Sequence, residues 1–250
     1  MMRLIYINTQ EWFRLKFFHV VAFLSLFYIF MSYLLGSLSF VEQQRLIFDF
    51  GLAGLEATTF FVAAFISTHA LHREIERKTI LVTLARPIPR WNLLIGYIGS
   101  LILLNLFVTL SLGAVLFSFL QKSQYSSALF ISIATILLKS IVIACFGILC
   151  SVLARAMFGF VMVIAYWIMA YAIPDLQFFA KKLENEALIL LGKFLDFIIP
   201  NFYAFNWKSY HFLRATVDYK EVLWSWAHCF GWIFMLLFLA AVAFRRKEIV

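Results

Sequence analysis

Long runs of apolar residues without charge constrain this chain more than any other feature. Residues 17–41 contain no Asp, Glu, Lys or Arg, and residues 91–121 repeat the pattern. A helix needs about 20 apolar residues to cross the hydrocarbon core of a bilayer. Hydrophobic residue types make up 64% of the 250 residues and charged types only 14%, too few to cover a soluble domain of this size. The sequence therefore predicts an all-α integral membrane protein.

Six transmembrane helices are predicted from the order of these runs. Their approximate limits are 17–41, 51–71, 91–121, 128–153, 157–173 and 222–244. Spans one to five thus fall within 17–174, and Pro174 is expected to end the fifth, because proline breaks the hydrogen-bond ladder of a helix. Residues 41–50 are expected to form a short polar loop. The whole chain, 1–250, is predicted to be a single transmembrane domain.

Two segments outside these spans are predicted to lie at the membrane surface. Residues 1–16 mix apolar and charged side chains at a helical spacing, which is typical of an amphipathic interfacial helix. Residues 175–221 are too apolar for a simple loop, but their apolar part is too short to cross. We interpret them as extracytoplasmic re-entrant or interfacial helices, with a break at Pro200 and Asn201.

The distribution of Lys and Arg predicts the orientation in the membrane. With the N-terminus inside, basic residues gather in the inner segments, whereas the two short outer loops hold only Arg45 and Lys122. An even number of spans then places both termini in the cytoplasm, at an inner (plasma) membrane. This asymmetry explains the formal net charge of +8. Nucleic-acid binding needs a continuous basic face and is not expected. The apolar spans predict that the chain is surrounded by the lipid bilayer.

The sequence lacks a motif for ATP hydrolysis. A P-loop reads G-x-x-x-x-G-K-[ST], so that backbone N–H groups and a lysine hold the phosphates. The Gly192-Lys193 pair is followed by Phe194 and has no upstream glycine at the required spacing. We therefore expect no catalytic residues and no enzyme activity in this chain; any ATP hydrolysis would occur in a partner.

Histidines and cysteines are residue types in this sequence that could bind a metal. His69 and His72 form H-x-x-H, which can bind a metal on one helix face, but no further ligand lies nearby in sequence. Interfacial histidines are the preferred interpretation, and a membrane enzyme using His69, His72 or Glu56 is an alternative. The three cysteines are odd in number and lie in apolar stretches, which argues against a disulfide framework. No metal and no cofactor are predicted in this chain.

Two ionisable residues lie inside predicted spans. Glu56 is in span two, and Lys139 is about midway along span four. Because a charge in hydrocarbon is costly, such residues are functional candidates by default. Lys139 could extend its amine to the interface, pair with Glu56, or line a polar path. Together they form a possible intramembrane polar site.

The strongest local signal is the segment 72–100. A charged start is followed by an apolar stretch, and Arg86-Pro87-Ile88-Pro89-Arg90 then forms a rigid basic turn, because each proline fixes its own φ and restricts the preceding residue. Two interpretations stay open. The segment could transmit force to a soluble partner, or it could be a solvated basic loop that only sets topology.

This segment resembles the cytoplasmic loop of ABC-2 type transporter permeases, which often reads E-x-E-x-G-T-[IL]-x-x-L-L-x-x-P-[IV]-[SP]-R…[IL]-x-G-K. The matching residues are Glu74, Glu76, Thr79, Ile80, Leu84, Pro87, Ile88, Arg90 and Gly96. Lys78 stands where a glycine is usual, and Tyr97 where a lysine is usual. The order of predicted helices and the basic C-terminal end also fit, so the resemblance covers nearly the whole chain.

The resemblance implies a membrane-spanning permease subunit of an ABC exporter. Such a subunit forms a homo- or heterodimer with a second permease chain and is driven by separate ABC ATPase subunits, which bind ATP and Mg. The loop would carry a coupling helix that docks on the ATPase. The residues that would contact or shape this docking are Glu74, Glu76, Arg77, Thr79, Arg86, Pro87 and Arg90.

An alternative is a stand-alone membrane transporter or scaffold without an ATPase partner. Against it, the sequence shows no inverted repeat and has few charged residues within the spans for ion coupling. Aromatic, apolar spans would suit an amphiphilic cargo, but contact with lipid explains the same composition.

Overall fold

The computed structural model describes residues 8–12, 16–37, 43–76, 90–119, 126–205 and 219–246. Its long helices are α1 (Lys16–Ser37), α2 (Gln43–Glu76), α3 (Arg90–Phe119), α4 (Ser126–Leu153), α5 (Ala156–Lys182), α6 (Glu186–Ile198) and α7 (Tyr219–Arg246), with a 3-10 helix at Phe202–Phe205. Within the described ranges there is no strand, which confirms the all-α prediction. Of the predicted interfacial helix 1–16, residues 8–12 are helical and Lys16 begins α1, while residues 1–7 and 13–15 lie outside the described residues.

Five helices in the described ranges are long and apolar enough to cross a membrane. They are Arg45–Glu74, Trp91–Phe119, Ala128–Leu153, Ala156–Lys182 and Tyr219–Arg246. Helix α1 occupies the place of predicted span one and is 22 residues long, but it is not among these five. The multi-pass architecture is confirmed, and the count of six spans stays a prediction.

Helices α2 and α4 form the centre of the bundle. Most of their apolar length is buried inside the protein, whereas most of α5 and α7 is exposed to the surroundings. Two glycines allow neighbouring helices to pack closely against α2, one in α4 and one in α2 itself. A β-carbon at Gly147 in α4 would overlap the Ser67 side chain of α2, and one at Gly54 in α2 would overlap the ring of Tyr28 in α1. Small residues let helices pack closely where no hydrophobic effect drives them together.

The expected end of span five at Pro174 is wrong. Helix α5 continues through Pro174 to Lys182. A proline inside a helix removes one backbone hydrogen bond. Helices of membrane proteins tolerate this, because neighbouring helices and local adjustments satisfy the freed groups. Ala170 and Ile173, which precede the proline, are fully buried in the bundle, so tertiary packing keeps the helix continuous through this position.

The expected polar loop at 41–50 is also wrong over most of its length. Helix α2 begins at Gln43, within the described residues. Ile47 and Phe48 are buried in an apolar cluster with α3 and α4, and Arg45 pairs with Asp49 one turn later at 3.8 Å. Burial of every third or fourth residue favours helix over loop. Residues 41 and 42 lie outside the described ranges.

The segment after α5 folds back onto the bundle. Asn185 caps α6 by accepting hydrogen bonds from the backbone N–H groups of Ala187 and Leu188, and Gly192 packs against Gln177 of α5. Helix α6 ends at Ile198, so the predicted break at Pro200 and Asn201 is confirmed. The re-entrant or interfacial character of residues 175–221 stays a prediction.

Candidate functional site

A buried polar network joins α2, α4 and α5. The Lys139 ammonium group donates hydrogen bonds to Glu56 Oε1 at 3.0 Å and to the Tyr171 hydroxyl oxygen at 2.9 Å. The Tyr171 hydroxyl in turn donates to Glu56 Oε1. The side chains of Lys139 and Glu56 are only 6% and 10% exposed. We call these three residues the polar triad.

The triad is close to electroneutral, and this explains how it exists in an apolar bundle. An unpaired charge in hydrocarbon is strongly disfavoured, whereas a pair with additional hydrogen bonds has much of its desolvation penalty offset. Of the three roles left open for Lys139, the structure shows pairing with Glu56. Whether the pair serves transport stays a prediction.

Tyr171 was not predicted as a site residue. It lies 32 positions from Lys139 and 115 from Glu56, and a tyrosine near the end of a predicted span is common at membrane interfaces. Pro174 also favoured an interfacial position for Tyr171, because a helix end at Pro174 would place Tyr171 at the membrane surface. The continuous helix α5 instead keeps it half-buried beside the ion pair.

Aromatic side chains close the triad on several sides. The Trp167 ring stacks on Phe60 at 4.4 Å and meets Tyr171 edge-on at 5.5 Å. Phe202 of the 3-10 helix contacts Tyr171 edge-on at 6.0 Å and is fully buried. The cavity beside Glu56 and Lys139 has a volume of about 10 Å³, which leaves room for about one water molecule. The structure therefore shows a closed network.

A chain of rings leads from the triad to the end of the bundle where α7 begins. Phe202 contacts Phe205 at 6.4 Å, and Phe205 contacts the His228 ring of α7 at 5.9 Å. Cys229, the next residue of α7, is buried. The 3-10 helix thus touches both the triad and the first turns of α7.

A second polar cluster lies at the opposite end of α2. Arg73 forms an ion pair with Glu11 at 3.2 Å, which ties residues 8–12 to α2, and Trp12 beside it is buried. Glu74 is half-buried and accepts a hydrogen bond from the Tyr97 hydroxyl of α3. The cluster therefore fixes the N-terminal segment and the start of α3 against the last turn of α2.

The two histidines of the H-x-x-H pair face separate partners within their own helix. His69 Nδ1 lies 2.8 Å from the carbonyl oxygen of Phe65, and its ring stacks on that of Phe65. His72 Nε2 lies 3.1 Å from Glu76. Among the described residues no three His, Cys, Asp or Glu side chains gather into a possible metal site.

Comparison with known families decides the class of the protein. The family model for ABC-2 family transporter protein matches residues 8–249. The chain belongs to this family. No individual curated protein matches it. The resemblance inferred from residues 72–100 is thereby confirmed, and the chain is a multi-pass ABC-2 type permease.

The predicted coupling residues of this ABC-2 family transporter fall at the edge of the described structure. Glu74 and Glu76 form the last turn of α2; Glu76 is exposed beside His72. Arg90 is the first residue of α3. Arg77, Thr79, Arg86 and Pro87 lie outside the described residues. Tyr97, noted from the sequence only as a departure from the usual lysine, lies against Glu74.

Proposed function

We propose that this ABC-2 family transporter is the membrane-spanning permease subunit of an ATP-driven exporter and works with separate ATP-binding-cassette subunits. The observation that carries the proposal is the family match over residues 8–249. ATP and Mg would bind to the partner subunits. The permease would form a dimer in the inner (plasma) membrane, with both termini in the cytoplasm.

The geometry of α2 suggests how such coupling would travel. This single helix carries Glu74 and Glu76 at one end and Glu56 of the triad in its interior. At 1.5 Å per residue, Glu56 and Glu74 are about 27 Å apart along the axis. A pull on the loop that follows Glu76 would move α2 as a rigid element, and the triad would carry that movement to α4 and α5. This is coupling between distant sites through two conformations.

Co-purification tests the partner. We expect a tagged permease, expressed with the ATP-binding-cassette subunit encoded beside it, to retain that subunit through size-exclusion chromatography. Glu76→Gln and Arg86→Ala are expected to lower the permease-stimulated ATPase rate at least about tenfold, as loss of roughly 1.4 kcal/mol of coupling free energy would. Both variants should elute as the wild type does.

Glu186→Gln is the matched control, since it neutralises an exposed acid in the first turn of α6, far along the chain from the loop. Its ATPase rate should equal that of the wild type. Wild-type stimulation in Glu76→Gln and Arg86→Ala would rule out the loop assignment. Full transport by the chain alone, with no ATPase retained, would favour a stand-alone transporter.

A further inference from the structure

A groove runs along the first half of α7, outside the polar triad. It consists of two adjoining cavities of about 570 and 380 Å³ that share Trp224 and His228. The larger cavity has three charged side chains in an otherwise largely apolar lining. Its lining includes Asp196, Lys220 and Glu221.

The smaller cavity is apolar and follows one face of α7. Its lining adds Ala227, Gly231, Trp232 and Met235 to the two shared residues. These positions recur every three or four residues, so they form one stripe along the helix. From Trp224 to Met235 the stripe is about 16 Å long, at 1.5 Å per residue. A β-carbon at Gly231 would meet nothing within 4 Å, so the floor of the groove is open there.

His228 presents a hydrogen-bond donor where the two cavities join. Its Nε2 accepts a hydrogen bond from the Trp232 indole N–H at 2.9 Å. An indole nitrogen only donates, so Nε2 is unprotonated and Nδ1 of the imidazole carries the proton. Because His228 lines both cavities, its Nδ1–H group is the donor that this residue can offer to an acceptor in the groove.

Among the described residues that line the larger cavity, acidic side chains outnumber basic ones. They are two carboxylates, Asp196 and Glu221, and one ammonium group, Lys220. Asp196 makes no hydrogen bond or ion pair with any residue in the part of the chain that the structure describes. The Trp224 side chain is 78% exposed at the shared boundary, and an indole face attracts ammonium groups. This side of the groove is complementary to a cation that also carries hydrogen-bond acceptors.

We infer that this groove binds an amphiphile with an ammonium-bearing headgroup. The ammonium group would lie against Asp196 and Trp224, acceptor oxygens of the headgroup would meet the His228 Nδ1–H, and the apolar chain would lie along Gly231 and Met235. That the ligand is the exported cargo rests on the proposed function, whereas the binding itself does not.

Competition binding with a defined probe tests the site. The probe is lysophosphatidylethanolamine with a fluorophore on its acyl chain, added to the purified full-length chain in a maltoside detergent. Unlabelled lysophosphatidylethanolamine should displace it about tenfold better than lysophosphatidylglycerol of equal chain length. Asp196→Asn should weaken binding of the probe about tenfold, the loss expected for one charge-assisted contact. Gly231→Leu should weaken it by filling the apolar end.

Glu186→Gln is again the control: it removes an acid from α6 that does not line the groove, and it should bind the probe as the wild type does. Equal competition by the two lysolipids, or unchanged binding in Asp196→Asn, would overturn the inference and leave ordinary lipid contact. A disulfide-linked dimer through Trp224→Cys, in a chain without its three native cysteines, would overturn it in favour of a second copy at the groove. None of these readouts requires an ATPase partner, so they separate this inference from the proposed function.

Discussion

At the scale of single residues, the triad determines what substitutions the interior of the bundle can accept. Lys139 and Glu56 neutralise each other in the interior of the bundle, where their side chains are only 6% and 10% exposed. We expect Lys139→Met to lower the free energy of unfolding by about 3–5 kcal/mol, because it leaves Glu56 buried without its counter-charge. The measurement is unfolding in mixed micelles with increasing dodecyl sulfate, followed by circular dichroism.

The double variant Glu56→Gln/Lys139→Met controls for the lost charge. It removes both ions, so it should recover at least half of the loss, since replacing a buried pair by neutral groups is often nearly neutral. Additive losses from the two single substitutions would show that the pair contributes no coupling energy in the folded protein.

Tyr171 contributes its hydroxyl group to the triad. We expect Tyr171→Phe to lower the free energy of unfolding by about 1.5–3 kcal/mol, because the hydroxyl both donates to Glu56 and accepts from Lys139. Tyr203→Phe is the matched control, since Tyr203 lies in the 3-10 helix with 59% of its side chain exposed. The same unfolding assay applies, and equal small effects in both variants would contradict the network.

At the scale of helices, alanine substitutions at two glycines distinguish the effect of helix–helix packing from the effect of helix propensity. Gly147 and Gly231 both lie inside helices, but only a β-carbon at Gly147 would overlap a neighbour, Ser67. Gly231→Ala should stabilise the protein by up to about 1 kcal/mol through helix propensity alone. Gly147→Ala should lower stability, because Ser67 must move and α2 and α4 must separate slightly. Thermal unfolding of the two variants decides this: an equal gain in both would show that the helices are not in close contact.

The sequence predicts the helices better than it predicts their ends. Residue composition was enough for the all-α class and for the positions of α3, α4 and α7, because apolar runs of that length have no other stable state in a bilayer. It was not enough at Pro174 or Gln43. In both places local preference favours a break, while burial of Ile173 in one case and of Phe48 in the other favours a continuous helix.

The candidate site, like the helices, was predictable only in part. An acidic and a basic residue in two spans made a pair possible, but periodicity cannot tell which faces of α2 and α4 meet. Tyr171 and Phe202 carry no signal of their own, because tyrosine and phenylalanine are common on every surface of this chain. Only the packed bundle shows that they close the triad.

At the scale of the whole molecule, α2 and the 3-10 helix connect its ends. Helix α2 carries the Arg73–Glu11 contact at one end and Glu56 in its interior. From the triad, Phe202 and Phe205 continue to His228. The proposed coupling loop, the triad and the groove along α7 are therefore joined by helices and rings in direct contact. A movement at one of them has a physical route to the others.

Phe202 is the element of this route that can be tested without a partner. We expect Phe202→Ala to open the triad, because it removes the buried ring that covers Tyr171. Cys229 is a native reporter, since it is buried and directly follows His228, whose ring contacts Phe205. In a chain with Cys145 and Cys150 changed to alanine, Phe202→Ala should raise the rate of Cys229 labelling by a small methanethiosulfonate at least about tenfold, which corresponds to about 1.4 kcal/mol in the opening equilibrium.

Phe197→Ala is the control. It changes a residue that is 83% exposed, and it should leave the labelling rate unchanged. Equal rates in the two variants would show that the 3-10 helix does not guard the triad, and that α7 alone keeps Cys229 from solvent.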